Sequence, residues 1–177
     1  LRGRSVLRDE RTLAPRYYQI AVLSLLLTYG VAGLDFEIDA VQAIVTLGTV
    51  LATQYLCTRL WRLPAFDPRS PLISGLSLCL LLRTNDVWLA SAAAVIAIGS
   101  KFVLRVNGKH IFNPTNVGIV ALLILTDRVW VSPGQWGSVA VMAFLMACLG
   151  GLVVNRAARS DVTLAFLACY GAIAIGR

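Results

Sequence analysis

Seven apolar runs, each interrupted by charge, Pro or Gly, leave this sequence few ways to fold. They cover residues 17–34, 38–58, 71–82, 87–104, 114–125, 136–154 and 162–176. About 20 apolar residues are needed for a helix to cross the hydrocarbon core of a bilayer, and several of these runs approach that length. Apolar residues make up 58% of the 177 positions and charged ones 14%. An ordinary soluble domain is about half apolar and about a quarter charged. The expected class is an all-α, polytopic integral membrane protein. The chain starts without Met and ends just after its seventh run begins, which predicts a piece of a longer protein.

The net charge of +7 would suit nucleic acid or anionic lipid, but its position argues for topology. With the N-terminus in the cytoplasm and every run reversing direction, only Arg83, Arg128 and Arg177 of the sixteen Lys and Arg fall outside. Excess Lys and Arg on the cytoplasmic side is the rule that orients membrane helices. The expected location is a bacterial-type inner membrane, with the lipid bilayer as partner and no nucleic acid. The acidic stretch Asp35, Glu37 and Asp39 falls outside and reads as a solvated turn.

Two of the runs are too short. Twelve residues of helix measure roughly 18 Å, against about 30 Å of hydrocarbon. Partial helices are tolerated in membranes only where protein or a polar cavity surrounds the loose backbone. Paired interrupted segments mark binding sites in transporters.

The third and fifth runs also open alike, as "SPLISG" from Ser70 and "NPTNVG" from Asn113. Each offers an N-cap residue, a Pro at the first helical position and a Gly five residues after the cap. The preceding "FDPRS" and "FNPTN" share a second pattern in another register. Ser70, Ser74, Gly75, Asn113, Pro114, Asn116 and Gly118 are therefore the candidate cofactor-binding or conduit-lining residues. At this level two readings stand side by side. Either the helix starts face a partly anionic or carbonyl-rich ligand or a polar conduit, or they are two well-capped helices following loops.

Little else carries chemistry. Cys57, Cys79, Cys148 and Cys169 form no C-x-x-C pair and read as small apolar residues. His110 is the sole histidine, so no metal site follows. No nucleophile–base pair or paired carboxylates occur in a plausible pocket, and no independent catalytic residue is expected.

At the two short runs the sequence resembles a known family: the D subunit of the Rnf ferredoxin:NAD oxidoreductase and the B subunit of the Na⁺-translocating NADH:quinone oxidoreductase. "SPLISGLSL" is similar to the family's S-x-L-[LI]-[ST]-G-L pattern through Ser70, Leu72, Ser74, Gly75 and Leu76. Lys101 and "FNPTNVG", through Phe112, Asn113, Pro114 and Gly118, match F-N-P-x-x-x-G and its spacing.

The resemblance implies an inverted-repeat helical bundle with a half-spanning helix in each repeat. Residues 1–16 would be a cytoplasmic segment, 17–131 a first five-helix repeat and 132–177 the start of a second. It implies a membrane subunit of a redox-driven, ion-translocating electron transport complex, with other subunits of that complex as partners, or a stand-alone derivative. The alternative is a channel or transporter for a small solute or ion.

The implied cofactor is flavin mononucleotide or riboflavin, bound non-covalently. Complex-bound members carry flavin on a Thr within an A-T pair between the fifth and sixth helices. The connection here, "TDRVWVSPGQ", has no such pair, so no covalent attachment is transferred to Thr126.

Overall fold

A computed structural model of the chain describes residues 2–33, 39–106, 108–131, 140–156 and 160–176. Asp35 and Glu37 of the acidic turn, the start of the sixth run and Arg159 lie outside them. Among the described residues are seven helices: α1 (Arg2–Gly33), α2 (Ala40–Leu60), α3 (Arg69–Leu81), α4 (Val87–Val103), α5 (Pro114–Leu125), α6 (Ala140–Arg156) and α7 (Ser160–Ile175). The protein is predominantly helical. By length and composition α2 alone among the described helices is long and apolar enough to cross a membrane. At 21 residues it is about 31 Å long. α1 is longer, but its first half is dense in Arg.

Two short strand pairs, not anticipated from the sequence, join the helices. β1 (Leu82–Thr84) runs antiparallel to β4 (Val129–Val131), pairing Arg83 with Trp130. β2 (Arg105–Val106) and β3 (Lys109–His110) form a hairpin whose Gly108 has φ +77°, a conformation glycine adopts without steric cost.

Contacts divide the described chain into two units, Ile20–Trp136 and Leu1–Gln19 with Gly137–Arg177. In the second, α6 and α7 touch, while Phe144, Leu164, Phe166 and Ile173 are exposed. In the first, α4 is the centre, packed between α2 and α5. Its buried residues, Ala90, Ala93, Ala94, Ala97, Ile98, Lys101 and Phe102, recur at helical spacing and so form one continuous face. Trp88, Val95 and Val103, on the other face, are exposed.

Small residues on the α4 face allow close approach. A Cβ placed on Gly118 of α5 would lie 2.6 Å from the Ala93 carbonyl oxygen and 3.0 Å from the Ala97 Cβ. On α3, a Cβ at Gly75 would lie 2.8 Å from Val50 Cγ2 and 3.0 Å from Leu47 Cδ2 of α2. Both glycines therefore serve helix-to-helix packing.

Candidate polar seam between the half-helices

α3 and α5 are short because each gives way to extended chain. α3 passes directly into β1, and α5 passes through the turn at Thr126–Arg128 into β4. The two extended pieces then pair with each other, which satisfies backbone groups a broken helix would leave open. Buried Arg83 adds to this closure. Its Nη1 donates to the carbonyls of Cys79 at 2.8 Å and Leu82 at 3.2 Å, occupying acceptors at the end of α3. Beside it, Gln42, Thr46 and Cys79 line a cavity of about 10 Å³, close to the minimum for one water.

The opposite ends of the half-helices carry the residues predicted from sequence. α5 begins as expected: Asn113 is the N-cap, its side chain accepts from Thr115 N at 3.0 Å, and Pro114 is the first helical residue. α3 does not begin as expected. Ser70 is not its cap, because the helix starts at Arg69, with Pro68 in the cap position. The Asp67 carboxylate accepts from Arg69 N at 3.1 Å and from Arg69 Nε at 2.9 Å. Pro71 is thus the third helical residue, still within the first turn, where a missing N–H costs no intrahelical bond.

Released from capping, Ser70 has another role. Its Oγ accepts from the Lys101 Nζ at 3.1 Å. Lys101 stands in the last turn of α4, where a cation complements the helix dipole, and only 8% of it is exposed. The Ser70 carbonyl accepts from Ser74 Oγ at 3.3 Å. The Ser74 carbonyl in turn accepts from Thr115 Oγ1 at 3.4 Å. A buried polar seam therefore joins the end of α4 to the starts of α3 and α5.

The structure brings Ser70 and Ser74 together and adds Lys101 and Thr115, which were not among the candidates. Asn113 caps from an exposed position, and Asn116 is exposed; neither appears among the seam's bonds. Gly75, Pro114 and Gly118 are buried packing residues. Lys101 was visible only as part of the family pattern. Thr115 carried no separate signal, since its partner lies 41 residues away.

The donor set of an ammonium, hydroxyls and two helix starts suits an anionic or carbonyl group. Thr115 on α5 and the Ser74 carbonyl in the second turn of α3 are in direct contact. Among the described residues no cluster of three metal-ligating side chains occurs. Comparison with protein-family models, curated proteins and solved structures finds no match to this chain.

Proposed function

We propose that this chain is a polytopic membrane protein of the inner-membrane type, a subunit of a redox-driven, ion-translocating electron transport complex or a stand-alone derivative of one. The kind meant is the Rnf D subunit and the Na⁺-translocating quinone reductase B subunit. One observation carries the reading. The residues that bear the resemblance lie far apart in the chain yet gather in one packed unit. Lys101 bonds Ser70, Thr115 bonds the carbonyl of Ser74, and Gly75 and Gly118 seat the two half-helices against α2 and α4.

Membrane residence is supported by the outer surface of that same unit. Ile44, Trp88, Ile124 and Leu125 are each at least 70% exposed, and an exposed apolar surface of this kind needs a lipid or protein neighbour. Lipid residence also accounts for the internal closure of the broken helix ends.

The cofactor this reading brings is flavin mononucleotide or riboflavin, held non-covalently. Purification from membranes, followed by visible absorbance, in-gel flavin fluorescence and identification of co-purifying subunits, tests the proposal. A colourless protein without releasable flavin and without partners removes the redox reading.

A second reading, a channel or transporter for a small solute or ion, rests on the buried run of hydroxyl, carbonyl and ammonium groups itself, which requires no cofactor. Flux into proteoliposomes, wild type against Ser74→Leu, tests it. Equal flux in both would remove a conduit built on the seam.

A further inference from the structure

At the strand-paired end of the same unit lies a cleft of about 500 Å³, lined by Thr84, Asp86, Trp88, Arg128 and Trp130 among others. This is within the size range of small-molecule sites. The β1–β4 pairing builds it. Val129 is buried, and the alternation of a strand sends Trp130 to the other side. Arg128 is exposed, and among the described residues no hydrogen bond or ion pair engages its guanidinium. Trp88 is 82% exposed and Trp130 43%.

We propose that this cleft holds the head group of a zwitterionic glycerophospholipid, an inference that rests on the membrane reading above. Three features select that ligand. The free guanidinium matches a phosphodiester, with which it forms two parallel charge-assisted bonds. The Asp86 carboxylate on the same wall supplies the opposite charge for an ammonium, and its Oδ1 already accepts from Trp88 N at 2.9 Å. A purely anionic head group would face that carboxylate unpaired.

The third feature is depth. Trp88 is the second residue of α4, and Arg128 comes just after the apolar end of α5, where Ile124 and Leu125 are exposed. Indoles concentrate at the level where the hydrocarbon ends and head groups begin. A head group seated on Arg128 would therefore leave its acyl chains beside the apolar end of α5. A small soluble anion would use the guanidinium but neither the indoles nor this apolar margin.

The test uses the full chain reconstituted in vesicles of phosphatidylethanolamine and phosphatidylglycerol, with native mass spectrometry of retained lipid. Wild type should retain phosphatidylethanolamine, and Arg128→Gln should retain about fivefold less, the factor one basic residue contributes at a lipid surface. Asp86→Asn keeps a good capping side chain while removing the charge, and should shift retention toward phosphatidylglycerol. Circular dichroism of both variants should match wild type.

Equal retention by wild type and Arg128→Gln overturns the proposal, as does an equal loss on Arg105→Gln at the far hairpin. Inorganic phosphate binding that depends on Arg128, without retained lipid, also overturns it by making the cleft a simple anion site. Vesicle flotation separates the two readings. A chain that fails to float with vesicles overturns membrane residence as well, whereas one that floats but fails the Arg128 comparison overturns the cleft alone.

Discussion

Gly118→Ala is the sharpest test of how the half-helices are held. The new methyl would stand 2.6 Å from the Ala93 carbonyl oxygen and 3.0 Å from the Ala97 Cβ. Real Cβ atoms do not approach a backbone oxygen that closely, so α5 must move away from α4. Overpacking of this kind costs about 1–3 kcal/mol. Opposing it, Ala is better than Gly inside a helix by about 1 kcal/mol.

Two other glycines separate these contributions. Gly99 on α4 has nothing within 4 Å of its would-be Cβ, so Gly99→Ala should show the propensity gain alone and stabilise. Gly75→Ala meets only side-chain tips, of Val50 and Leu47, and Val50→Ala should relieve it. Ala97→Gly should not rescue Gly118→Ala, because the Ala93 carbonyl remains in place. Thermal unfolding of detergent-solubilised protein should therefore rank Gly99→Ala highest, then Gly75→Ala, then Gly118→Ala, the extremes differing by several degrees. A Gly118→Ala protein as stable as Gly99→Ala would refute the close-packing account, and with it the view that the glycine is there for helix contact.

The same geometry sets three further outcomes. Asn113→Ala should cost about 1 kcal/mol by removing the cap on Thr115 N, while Asn113→Asp should cost little, as read by thermal midpoint. Ser70→Ala should cost about 1–3 kcal/mol because it takes an acceptor from a buried ammonium, whereas Lys101→Met should be close to neutral for folding; the reverse order in thermal midpoint would contradict the Lys101–Ser70 bond. In a cysteine-free background, Arg105→Cys and Arg128→Cys should react with an impermeant maleimide from opposite sides of sealed vesicles, and labelling of both from one side would contradict the alternating topology.

The helix positions are legible because, in a chain this apolar, every break must be written in polar residues, Pro or Gly. The fifth run ends where α5 ends, and the third runs one residue past α3, to Leu82. The strands just beyond these helices are not legible in the same way, although weak signals for them exist. Val129–Val131 reads Val-Trp-Val, residues that favour strands. Asn107–Gly108 is the dipeptide of a tight hairpin turn. Each strand is only two or three residues long, too short for alternation to register against the apolar background.

The start of α3 departs from expectation because two true patterns overlap there. Phe66-Asp67-Pro68 and Phe112-Asn113-Pro114 are equivalent in capping: in both, the side chain before Pro accepts from the N–H two residues on. Pro71 with Gly75 and Pro114 with Gly118 are equivalent in packing, with all four residues buried. From capping side chain to glycine, α3 spans Asp67 to Gly75 and α5 spans Asn113 to Gly118, a difference of about one helical turn. α3 thus starts a turn earlier relative to its glycine.

That extra turn has a consequence for the site. It lifts Ser70 out of the capping position and into the second helical position, facing the end of α4, where Lys101 reaches it. On α5 the second helical residue is Thr115, and its hydroxyl turns to the Ser74 carbonyl instead. The two half-helices share a way of starting but use the second residue differently, one to hold an ammonium and one to hold its neighbour. A one-dimensional pattern could show the shared start; it could not show this division, because the deciding partners lie 31 and 41 residues away. Lys101 is the buried charge for which the offset between the two starts makes room.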